Sequence, residues 1–126
     1  MVVVLNGVPG SGRTSIAAAG RWPTVETTLT ERTEARALAQ SLAGNDVLFV
    51  GVRCPLAVIL KRLGIGDGPV PKDVVEAHEL VHRWQYDLEV DTSVLSPAEC
   101  AREIARTLVD PPVPSAFARL ATVATS

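Results

Sequence analysis

Eight residues near the start of the chain, Gly7-Val8-Pro9-Gly10-Ser11-Gly12-Arg13-Thr14, have the types and spacing of the phosphate-binding pattern G-x-x-x-x-G-K-[ST], with arginine at the lysine position. Three glycines let backbone N–H groups converge on an anion, and a helix starting directly behind them adds the partial positive charge of its N-terminus. The pattern predicts that Gly7, Val8, Pro9, Gly10, Ser11, Gly12, Arg13, Thr14 and Ser15 hold the phosphates of a nucleotide. Arg13 is the candidate catalytic cation: it keeps the charge of lysine on a wider, planar group, so binding should tolerate the exchange better than phosphate transfer. Thr14, ahead of Ser15, is the candidate to set a hydroxyl on a magnesium ion bridging the terminal phosphates. The plain structural alternative is a glycine-rich turn that joins strand to helix and binds nothing.

Other residues compete for a chemical role. His78-Glu79-Leu80-Val81-His82 has the order His-Glu-x-x-His, with two imidazoles for zinc and a glutamate as base, but a third protein ligand would be required. Asp87, Glu89 and Asp91 would share one side of a strand by the two-residue period, and Asp91, where the strand end would approach a ligand crevice, reads alternatively as a helix or turn cap for Thr92-Ser93. Cys54 and Cys100 stand far apart in no metal-ligand spacing and read as buried thiols, while Trp22 and Trp84 read as packing residues.

These residues must be positioned by alternating strands and helices. Val2-Val3-Val4-Leu5 and Val47-Leu48-Phe49-Val50-Gly51-Val52 are continuous apolar runs suited to strands buried on both faces of a parallel sheet. Residues 86–91 alternate like a third strand, and residues 24–29 form at best a short one. Helices are expected over residues 14–19, from the Thr30 region to Leu42, from Pro55 to about Leu63, from Asp73 to about Trp84, and from Ser96-Pro97-Ala98-Glu99 to about Val109. The expected fold is a reduced three-layer α/β P-loop domain with a short parallel sheet. It spans residues 1–110, and residues 111–126 form a Pro-rich connection and a frayed tail, in which a loose helix through Phe117 and Leu120 is the alternative. A sheet of so few strands leaves an edge that pairing into a homo-oligomer would cover.

Composition narrows the functional class. A length of 126 residues with 47% hydrophobic content suits one core. A net charge of -2 argues against nucleic acid as the main partner. No apolar run approaches the roughly 20 residues of a membrane span, and the first residues lack a basic leader, so a cytoplasmic location is the default expectation and no membrane partner is expected.

The segments Asp46-Val47-Leu48-Phe49-Val50-Gly51-Val52-Arg53-Cys54-Pro55, His78-Glu79-Leu80-Val81-His82, Tyr86-Asp87-Leu88-Glu89-Val90-Asp91-Thr92-Ser93 and Ser96-Pro97-Ala98-Glu99-Cys100-Ala101, with Leu5-Asn6-Gly7 ahead of them, resemble the chloramphenicol phosphotransferase family in content and order. The resemblance implies a fold of nucleoside-monophosphate-kinase type and an ATP- and magnesium-dependent transfer of phosphate to a hydroxyl of a small molecule such as chloramphenicol. Family members carry an aspartate general base between the first helix and the central strand. Residues 21–45 contain no match to it, and Glu26 is the carboxylate nearest a strand end. They also place arginines around a Gly-Asp pair in a lid, where this chain has Lys61, Arg62 and then Gly66-Asp67, and both cations also suit the end of a helix. A nucleotide-binding remnant without transferase activity is the alternative reading.

Overall fold

The computed structural model describes residues 1–65 and 68–123. Gly66 and Asp67 of the expected lid and the end of the expected tail lie outside the described residues. Strands β1 (Val2–Asn6), β2 (Thr24–Thr27), β3 (Val47–Arg53) and β4 (Leu88–Asp91) form one sheet in the order β2-β1-β3-β4, and every pairing is parallel. Helices α1 (Arg13–Ala19), α2 (Arg32–Ser41), α3 (Leu56–Arg62), α4 (Lys72–Val81), α5 (Pro97–Val109) and α6 (Ala116–Val123) surround it. The α/β class and the short parallel sheet are as the sequence predicts.

The two-residue period sorts the central strands between two layers. Val3, Leu5, Leu48, Val50 and Val52 face α1 and α5 through Ile16, Cys100 and Ile104, while Val4, Val47 and Phe49 face α2 and α6 through Ala35, Ala39, Ala116 and Phe117. A third cluster of Val8, Cys54, Ile59 and Val81 closes the carboxyl end of the sheet under α3 and α4. Both cysteines are free and buried. Burial raises the pKa of the Cys100 thiol, and the charges of Glu99 and Asp91 add to the effect. Ser96 and Glu99 complete the reciprocal capping box of α5, with Pro97 in its first turn. Among the described residues no helix is long and apolar enough to cross a membrane.

The weakly patterned stretch at 24–29 yields the short strand allowed for it, with Thr24 to Thr27 in register against Val3 to Asn6 at the sheet edge, and other expectations change. Its β-branched residues suit a strand, but an edge position with only partial burial removes the apolar run that would announce it. Residues 86–91 do not form one continuous strand. Tyr86 turns its ring onto Gly51, where an added Cβ would lie 2.5 Å from the ring, and the Asp87 carboxylate accepts from the N–H groups of Phe49 and Ala116 at 2.8 Å each. Asp87 is thus drawn into the α6 layer and does not share the exposed side of Glu89, which pairs with Arg53 at 2.7 Å.

The segment read as a frayed tail contains α6, whose first residues are core. Phe117 is 4% exposed, and its ring centroid lies 4.8 Å from that of Phe49, which in turn lies 4.6 Å from Tyr86. The loose helix that the sequence allows through Phe117 and Leu120 is the arrangement found, and small residues with no stop signals make it look frayed because its order comes from the Phe49 face and from Asp87.

Two measurements test this arrangement. Phe117→Ala is expected to cost about 3–5 kcal/mol through cavity formation, read as a lower urea midpoint at unchanged slope, whereas a frayed tail would give no shift. Burial, opposed by the hydrogen bond from Asn6 and reinforced by Glu89, holds the Tyr86 phenol at a pKa of about 12. The chain has a single tyrosine, so its ultraviolet titration should have its midpoint near that value. The raised pKa contributes stability that is complete below the unfolded value of about 10 and is lost as pH rises through about 12.

Candidate active site

The carboxyl ends of the four strands converge on one edge, the usual location of ligand crevices in open parallel sheets. Asn6, the last residue of β1, is 1% exposed, and all four hydrogen-bonding sites of its amide are in use. Its Nδ2 donates to the Tyr86 hydroxyl at 2.9 Å and to the Leu29 carbonyl at 3.4 Å; its Oδ1 accepts from the Leu29 N–H at 2.6 Å and the Thr27 hydroxyl at 2.9 Å. The Tyr86 hydroxyl donates a hydrogen bond to the Val81 carbonyl, and Trp84 Nε1 donates to Leu29 O at 2.7 Å. One amide therefore ties the start of the glycine-rich loop to β2, to the segment leading into α2, and to the approach to β4.

Behind Asn6 the loop turns through Gly10 and Gly12, whose φ values of 88° and 104° favour glycine. Gly12 is also the N-cap of α1, and a Cβ there would meet Thr92 at 3.0 Å. At Gly7 a Cβ would fall 2.6 Å from Ser11 Oγ and 2.9 Å from the Val52 carbonyl. The bond from Ile16 N–H to the Gly12 carbonyl opens α1, so the N–H groups of Arg13, Thr14 and Ser15 precede the helical ladder.

Of the nine residues predicted to hold phosphate, Gly10, Gly12, Arg13, Thr14 and Ser15 line one cleft of about 310 Å³, together with Arg62 and Thr92. Val8 points into the α3–α4 cluster, and Ser11 is buried with its Oγ lacking a partner. Gly7, Val8 and Ser11 are buried and thus shape the loop from behind, while Pro9 is exposed and outside the cleft lining.

The polar side chains at the cleft are already engaged. Arg13 Nη1 donates to the Thr27 carbonyl and to Thr28 Oγ1 at 3.0 Å, at the end of β2. Burial lowers its pKa, and the charge of Glu26 partly offsets that. Thr14 Oγ1 donates to Glu26 Oε1 at 2.7 Å, which brings the proposed metal ligand and the one carboxylate noted near a strand end into direct contact. Arg62 bridges the loop to β4: its Nη1 donates to the Gly10 carbonyl at 3.1 Å, the Ser11 carbonyl at 3.3 Å and Thr92 Oγ1 at 3.0 Å, and its Nη2 to the Thr92 carbonyl at 3.1 Å. Thr92 Oγ1 in turn donates to the Ser11 carbonyl. The Asp91 carboxylate accepts from the N–H and hydroxyl of Ser93, the turn cap expected of it.

Sequence reasoning missed the Asn6 hub and the span of Arg62 across the loop. An asparagine closing an otherwise apolar strand was a signal for the first; a cation at a helix end gave too little to predict the second. The zinc reading gains no third ligand. His78 Nε2 lies 2.9 Å from the Cys54 carbonyl, its ring sits 4.5 Å from that of His82, and no group of three metal-ligating side chains occurs among the described residues. Burial and the neighbouring His78, with Arg53 beyond it, lower the pKa of His82.

No curated protein matches the chain significantly. The family model for chloramphenicol phosphotransferase-like proteins matches residues 17–109, starting inside α1 and running through α5. The glycine-rich loop lies ahead of the matched span, so its role rests on its own pattern and geometry. The match takes in well over half of the 126 residues, and the chain belongs to the chloramphenicol phosphotransferase-like family, a family of kinase-like phosphotransferases.

Proposed function

We propose that this chain binds Mg-ATP at the Gly7-to-Thr14 loop and promotes transfer of the terminal phosphate to a hydroxyl of a small molecule, of the chloramphenicol type by family resemblance. The observation that carries the proposal is the 2.7 Å contact between Thr14 and Glu26 at the mouth of a glycine-built loop. The residues fit the group: the Thr14 hydroxyl is a hard oxygen donor suited to magnesium, the Glu26 carboxylate beside it can accept a proton, and the loop is a cradle in which side chains at Gly7 or Gly12 would crowd their neighbours. Mg-ATP, when bound, supplies the activated terminal phosphate and a cation that neutralises its charge.

Each side chain then has a distinct task. The loop N–H groups would orient the phosphates, and the Thr14 hydroxyl would hold the metal. Arg13 and Arg62 place two guanidinium groups beside the cleft, where they offset charge on the moving phosphate. Glu26 takes the place of the missing aspartate motif and accepts the proton of the acceptor hydroxyl as that oxygen bonds to phosphorus and the bond to the departing diphosphate breaks. Arg13 must leave Thr27 and Thr28 to reach a terminal phosphate. This engagement favours a second reading, in which the chain binds the nucleotide without transferring phosphate.

Calorimetric titration of Mg-ATP should show saturable binding to the parent chain and at least tenfold weaker binding to Arg13→Ala, equivalent to about 1.4 kcal/mol. No binding to the parent chain would overturn both readings. In the same samples, phosphate transfer to chloramphenicol that falls about 100-fold or more in Glu26→Gln, with binding retained, supports the transferase; binding with no turnover supports the second reading.

A further inference from the structure

A second cavity, of about 340 Å³, lies on the α2–α6 side of the sheet and shares no lining residue with the glycine-rich cleft. Four guanidinium side chains line it: Arg32 and Arg36 from α2, Arg83 between α4 and β4, and Arg119 from α6. Trp84, Gln85, Ala116 and Leu120 complete the wall, and among the described residues no carboxylate lines it. A chain of net charge -2 has therefore placed four of its ten arginines around one space.

That arrangement is unfavourable in itself. Like charges brought around one cavity repel, and together they raise a positive potential that draws in anions. Among the described residues Arg32, Arg36 and Arg83 make no ion pair with a carboxylate; the two pairs present are Arg53–Glu89 and Arg106–Glu103. Glu31 and Glu34 beside the cluster are exposed, and the Asp87 carboxylate beneath Ala116 is committed to two backbone N–H groups. Arg36 carries a second signal: its Nε is buried without a hydrogen-bond partner, a condition folded chains seldom leave unexplained.

We infer that this pocket is a binding site for a small molecule carrying two or more anionic oxygen groups, phosphate or carboxylate, separate from the nucleotide cleft. Guanidinium forks match both groups in bidentate geometry, and a polyanion relieves the mutual repulsion of the cluster. The site does not depend on the proposed phosphate transfer. It does touch the same framework, because Trp84 holds the Leu29 carbonyl that Asn6 also holds.

The test uses the full chain, with inorganic tripolyphosphate and citrate as separate probes and tryptophan fluorescence as the signal. Trp84 lines the pocket, whereas Trp22 packs on the opposite face of the sheet against the α1–α5 layer. Saturable change with either probe is expected, and the tighter probe identifies phosphate or carboxylate chemistry. Arg32→Gln with Arg83→Gln, both exposed and therefore safe for folding, should weaken binding at least tenfold, and Arg13→Ala should leave it within twofold. Absence of a saturable change with both probes, unchanged affinity in the double variant, or a loss confined to Arg13→Ala, which would mean the probe reads the glycine-rich loop, would each overturn the inference.

Discussion

The buried amide of Asn6 is the constraint on which the functional edge of this domain depends. A polar side chain among apolar strand residues is costly unless its donors and acceptors are met, and here the four bonds that meet them reach Thr27, Leu29 and Tyr86. Leu29 is gripped through both its N–H and its carbonyl, so the segment between β2 and α2 has a fixed position. Tyr86 is gripped through its hydroxyl, so the approach to β4 is fixed as well. The glycine-rich loop starts one residue later, and its starting direction is set by a fully satisfied network.

Close approach is the second organising feature, and it depends on missing side chains. Gly51 lets the Tyr86 ring lie against the backbone of the central strand, which puts its hydroxyl within reach of Asn6. Gly12 lets Thr92 come against the loop, where Arg62 joins the two. The carboxyl ends of β1, β3 and β4 are thereby connected by packing at glycine and by a single arginine, with no need for additional strands. A four-stranded sheet can organise such a site because the connections run across its edge.

Arginine is used in two ways. Arg13 and Arg62 are held by backbone carbonyls and hydroxyls around the cleft, which orders cationic groups without neutralising them. Arg32, Arg36, Arg83 and Arg119 come from three separate segments and meet only because α6 folds back over Phe49. Without that helix the wall carrying Arg119 would not exist, so the core contact of Phe117 also creates the second pocket.

Much of this was written locally. The apolar runs at Val2 and Val47 dictate strands buried on both faces, the Ser96-Pro97-Ala98-Glu99 start fixes α5, and the spacing Gly7-to-Thr14 specifies a turn between strand and helix with room for an anion. Such features depend on neighbours a few residues apart, which sequence displays directly. The contacts that span the chain were not legible: Asn6 with Tyr86, Thr14 with Glu26, Arg62 with Thr92, and four arginines from three segments. They depend on which strand lies beside which, and on an edge strand and a terminal helix whose small or half-exposed residues carry little pattern of their own. Local sequence sets the layers and the loop; which charges face each other is settled by the folded chain, because charge–charge and hydrogen-bond partners are set by distance in space, to which spacing along the chain is blind.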